Sequence, residues 1–239
     1  MPTIINPFIF AAALPTLIQT KEASIENTNH NSIAATFDAM PAENSLIIVR
    51  ASFIDRDNNV SMSIPTGFSQ AFNLEIFVDT DLDGACACFY KVAGVSESSL
   101  VTVLMSNNAR ASSIEIMEWG GMATSSPLDV VATNDETSST GLICDTGTTA
   151  ATAIADSVVV AICCIGDDDF DEPESSDWIN SYTQSNTFSL NGAGGSPTDY
   201  TVAMAHKILT ATGTQNTTLT HAGGSGEERW SGIAVFKGI

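Results

Sequence analysis

Positive charge is what this sequence has least of. Eight Lys and Arg stand against 28 Asp and Glu, a formal net charge of −20. Such a surface repels nucleic-acid phosphate, which excludes DNA and RNA as expected partners. Long apolar runs are missing as well. The opening stretch "MPTIINPFIFAAALPTLIQTK" has no Lys or Arg before Lys21, so it lacks the basic region of a signal peptide. Pro7 and Pro15 interrupt it, and no segment approaches the ~20 apolar residues that cross a bilayer, so no membrane partner is expected. Residues 1–31 read as an extended N-terminal arm that lies on the domain or on a neighbouring subunit.

Cysteine is sparse and odd in number: Cys86, Cys88, Cys144, Cys163 and Cys164. An odd count does not make a closed disulfide framework. C-x-C and C-C at this separation lack zinc-ligand spacing. The five read as buried free thiols that pack as small apolar groups, in a chain assembled in a reducing cytoplasm.

Helix-period segments are also missing, and no internal repeat of fixed period stands out. What is present is period two. "SLIIVRASFI", "VSMSI", "FNLEIFV", "ACACFYKVA", "SLVTVLM" and "SSIEIMEW" come first. "SVVVAICCI", "NTFSL", "YTVAMAHKIL", "NTTLT" and "WSGIAVFK" follow, with Gly, Pro, Asn and Asp clusters between them. Many short strands with regular turns predict an all-β protein: a two-sheet antiparallel β-sandwich, jelly-roll-like, over residues 32–239. "GDDDFDEPESSDW" reads as a solvated acidic loop between strands.

Chemical motifs are few. No G-x-S-x-G elbow, phosphate loop or H-E-x-x-H helix is present, and no enzyme activity is expected. His206 reads as an ordinary strand histidine. Trp119 and Trp230 sit at strand ends, where they cap a core, and Trp178 in the acidic loop is the expected exposed ring. "DTDLDGACACFY" holds the one metal candidate. Asp79, Asp81, Asp83 and Gly84 repeat the front of a calcium loop, but Tyr90 stands where a bidentate Glu should be, and a strand follows where a helix should. Two readings stay open: a metal-free acidic turn, or a calcium site completed by other oxygens. No other cofactor is called for.

Several stretches, in order, resemble a β-sandwich family common among tailed-phage virion structural proteins. They are "NSLIIVRASFI" after "MPAE", "SIPTGFSQ", "ACFYKVAGVSESSLVTV", "IEIMEWGGMATSSPLDVV" and "DSVVVAICCI". The likeness spans roughly residues 32–239 and carries no catalytic residue. It implies a virion component assembled in the host cytoplasm: a capsid decoration (cement) protein that binds the major capsid protein or other virion proteins through its arm. A cyclic homo-oligomer, a trimer, would match the local symmetry of capsid sites. The alternative is a tail, fibre or baseplate component that binds host surface glycan.

Overall fold

Alternating residues put one side chain of each pair on either face of an extended chain, and apolar faces then stack. A computed structural model of the chain describes residues 14–26, 28–55, 60–78, 82–136, 142–166, 177–190, 200–220 and 228–239. Seven strands come from the first half: β1 (Thr16–Ile25), β2 (His30–Thr36), β3 (Leu46–Asp55), β4 (Ser69–Val78), β5 (Leu82–Val92), β6 (Leu100–Ala109) and β7 (Ala111–Gly120). Seven more come from the second: β8 (Leu128–Glu136), β9 (Ile143–Asp145), β10 (Val158–Ile165), β11 (Thr183–Leu190), β12 (Tyr200–Ile208), β13 (Thr218–Thr220) and β14 (Arg229–Phe236). All named pairings are antiparallel. No α-helix occurs among the described residues.

The expected two-sheet antiparallel sandwich is what forms. One sheet runs β1-β7-β3-β5-β4 and the other β11-β12-β10-β14-β8. Two-stranded layers flank them, β2-β6 outside the first sheet and β9-β13 outside the second. The alternation of β3 explains the layering. Leu46, Ile48 and Ile54 point between the sheets, where they meet Val160, Val202 and Phe236. Ile47, Val49 and Phe53 point the other way, under Ile33 and Val103. Val159 and Cys163 of β10 likewise lie under Cys144 and Leu219. The central strands are buried on both faces, which is why they read as continuous apolar runs. Each fully buried Ile or Val side chain stabilises the fold by about 1.5–3 kcal/mol.

The two halves share one plan. Counting from β8 as from β1, the second sheet has the strand order of the first, and β9-β13 stands where β2-β6 stands. Details match as well. β4 has a bulge between Gln70 and Phe72, and β11 has one between Gln184 and Asn186. Asn44 and Asp156, both with positive φ, precede Ser45 and Ser157. Each serine hydroxyl donates three residues back, to Ala42 O (2.7 Å) and Ile154 O (3.2 Å). Each serine carbonyl accepts an amide at 2.8 Å, from Ala93 and Leu209. Lys91 lies over the Phe68 ring at 5.7 Å, and Lys207 over Tyr182 at 5.6 Å. The repeat is therefore structural, though no fixed sequence period announced it.

The arm expected over residues 1–31 overlaps the sandwich: Thr16–Ile25 pairs along β7 as β1, its Leu17, Ala23 and Ile25 pack on core residues, and β2 begins at His30. Residues 1–13 lie outside the described residues.

Candidate functional site

Register gives the sandwich two unlike ends. At one end Leu46 stands between Val92 and Trp119, and Val158 between Ile208 and Phe236. Lys91, Lys207 and Lys237 lie at or next to those strand termini, among Glu97, Glu118, Asp129 and Asp156. Here the described chain enters at Leu14 and leaves at Ile239, with Pro15 packed beside Gly238. At the other end Asp55 stands beside Asp83, and Ile165 between Thr201 and Arg229. Gly84 touches Trp230 there, so the acidic termini of both sheets lie together. Asp135 and Glu136 close β8 at this end, and Arg229 Nε sits 3.0 Å from Glu136 Oε2. Beyond Ile165 the sequence continues into seven acids between Asp167 and Asp177.

The calcium candidates divide. Asp79 and Asp81 lie outside the described residues. Asp83 is inside β5 and buried, in register with buried Asp55. Gly84, expected to free a turn, is a strand residue, and the Trp230 ring occupies the space where its Cβ would be, 2.5 Å away. Among the described residues no group of three or more His, Cys, Asp or Glu is gathered to hold a metal.

Between the sheets lies a buried ion pair that the sequence reading missed. Arg50 and Glu115 are in register on β3 and β7, and both are 1% exposed. The guanidinium binds the Glu115 carboxylate and crosses the core to donate to Ala161 O at 2.5 Å and Ala205 O at 2.7 Å. It also donates to Ser185 Oγ at 2.7 Å. Burial lowers its pKa to about 9, against a raising influence from Cys88. One charged side chain thus bolts the first sheet to backbone carbonyls of the second. Burial, followed by the nearby Arg50 charge, lowers His206 to about 4. Its ring meets Trp119 edge to face at 5.5 Å.

All five cysteines are free and buried, as expected. Burial pushes the Cys88 thiol up to about 12 and raises Cys163 and Cys164 well above the ordinary range, which leaves them poor nucleophiles. The tryptophans overturn one expectation. Trp119 and Trp230 are fully buried, but so is Trp178, at 5% exposure. Its Nε1 donates to Gln184 Oε1 at 3.0 Å, and its backbone bridges to Leu219, so it covers the core beneath β9-β13. Its acidic neighbours in sequence suggested exposure; its spatial neighbours are apolar. His30 Nε2 lies 2.7 Å from Ser112 Oγ, and His221 is outside the described residues.

One shallow polar cleft of about 240 Å³ opens where the edges of β1 and β11 face each other, lined by Glu22 and Gln184–Thr187. Ser185 links its floor to Arg50. No protein-family model, curated protein or solved structure matches the chain.

Proposed function

We propose that the chain is a structural virion component: a capsid decoration protein that docks on the particle by one end. The observation that carries this reading is the place where the chain enters the sandwich. One end receives the chain at Leu14–Pro15, directly after thirteen largely apolar residues without a charged side chain. Its opposite end gathers the acidic strand termini. Met1–Ala13 would anchor the protein to the major capsid protein, and the acidic end would point to solvent and keep particles apart. The tail-associated, glycan-binding alternative has less support, because no described tryptophan offers an exposed ring for a sugar to stack on.

The test is deletion of Met1–Ala13, measured by co-sedimentation with capsid shells assembled without the protein. The truncated chain is expected to keep its far-ultraviolet circular dichroism and to lose binding. Binding equal to that of the full chain would overturn the proposal.

A further inference from the structure

Because the two halves share one plan, each place in the sandwich occurs twice and can be compared with itself. In the first half Arg50 stands in register beside Glu115 and Cys88, and Cys88 beside Phe72. In the second half Ile162 stands beside Gly232 and Met204, and Met204 beside Asn186. Phe72 and Asn186 thus correspond, each directly after the bulge of its strand, and so do Gly232 and Glu115. Where β4 meets β14, the Phe72 ring fills the room over Gly232, 2.4 Å from where a Cβ would stand. At the opposite seam the same two positions hold Asn186 and Glu115, and the cleft of about 240 Å³ opens there. The fold therefore has an apolar solution for this place and uses it once. Buried ion pairs are often matched in stability by apolar groups of similar volume, so the polar version is not a need of the fold.

The cleft holds acceptors that the protein itself does not use. Asn186 lines it and is only 7% exposed, on the inward face of β11 that also carries Phe188. Its side-chain amide has no hydrogen-bond partner among the described residues. Thr187 Oγ1 is buried without a partner as well. Glu22 of β1 lines the cleft in register with Glu115 and makes no ion pair among the described residues. Arg50 is matched by Glu115, so the carboxylate of Glu22 is one negative charge in excess.

We infer that this cleft binds a primary ammonium group. Charge and donor count select the ligand. An anion is repelled by Glu22 and by the net charge of −20. A calcium ion asks for six to eight oxygens, several of them charged, and here it would meet one free carboxylate over a floor that contains a guanidinium. An alkyl ammonium has three N–H donors and no acceptor. The Glu22 carboxylate, the Asn186 amide oxygen and the Thr187 hydroxyl oxygen supply three acceptors to match. The alkyl part leaves through the open mouth of the cleft, so the group can belong to a free amine or to a lysine side chain of another protein. The inference does not depend on the chain residing on a particle.

Nuclear magnetic resonance of the isotope-labelled full chain tests it, with n-butylamine and N-acetyl-lysine methylamide as probes at neutral pH. The side-chain amide signal of Asn186 is expected to shift saturably, with a Kd of about 1 mM. Tighter binding of butylamine would mark a free amine as the ligand, and tighter binding of the blocked lysine a protein side chain. n-Butanol, of the same shape without the charge, should leave the signal in place. Glu22→Gln should weaken binding by about tenfold or more, the worth of a charge-assisted hydrogen bond, with unchanged circular dichroism. Glu26→Gln removes the same charge from an exposed position just beyond β1 and should leave binding as it is. The inference is overturned if neither amine moves the Asn186 signal, if butanol moves it equally, or if Glu22→Gln and Glu26→Gln have the same effect.

Discussion

Arg50 shows how much a single residue can decide inside a sandwich. Its charge is compensated by Glu115 and by two carbonyls of the opposite sheet. Replacing it with Met leaves Glu115 buried without its cation, and breaking a buried pair this way costs about 3–5 kcal/mol. Urea unfolding of Arg50→Met should register that loss, and Arg50→Met with Glu115→Leu should recover most of it. His206 makes a second prediction. Its folded pKa, about 4, lies below the ordinary 6.5 because of burial and the Arg50 charge. Between those values the unfolded chain binds more protons, so stability rises with pH. The contribution is full above about pH 6.5 and is lost as pH falls toward about 4. The urea midpoint of the native chain, compared with His206→Phe across that window, should show a slope that the variant lacks. A flat difference would refute the assignment. Sequence reading found β3 and β7 as strands, but it could not pair Arg50 with Glu115, 65 residues away, because register between strands is a tertiary property.

Among the elements, every central strand was legible, and so were the edge strands β4 and β11 and the outer strands β6 and β13. β3, β5, β7, β10, β12 and β14 carry long apolar patterns, and each was anticipated within a few residues. β1, β2 and β8 escaped notice, since an edge or outer strand keeps one face in water and mixes its apolar residues with Thr, Gln, Ser and Asn. "VSMSI" alternates cleanly yet yields only a bridge at Met62, because it lies along one side of β6 and pairs over too few residues. Strand glycines offer a test at this scale. A Cβ on Gly232 of β14 would stand 2.4 Å from the Phe72 ring of β4, across the sheet interface. Phe72 is buried and cannot swing into solvent. Gly232→Ala should therefore lower stability by about 1–3 kcal/mol, the usual cost of overpacking. Gly94, which would meet nothing within 4 Å, is the matched control. Equal urea midpoints for Gly232→Ala and Gly94→Ala would contradict the packing described.

For the whole molecule, the shared plan of the two halves was invisible in the sequence. The positions that correspond are a turn serine, a lysine over a ring and a bulge, set among interchangeable apolar residues. Composition keeps no trace of such matches, whereas the backbone keeps all of them. Residues 121–127 carry the chain from β7 across to β8, at the end where Pro15 meets Gly238. The middle of the chain and both described termini therefore lie close together. The linear order of the halves is consequently a matter of covalent bookkeeping and not of folding. A circular permutant that opens the chain before Pro127 and joins Ile239 to Leu14 through a short glycine-serine link would keep every strand neighbour. It should show native circular dichroism and one cooperative unfolding transition; a molten or aggregated product would mean that the existing crossing is required. Such tolerance is what two like pieces joined end to end would confer, since each keeps its own set of strand neighbours whichever comes first.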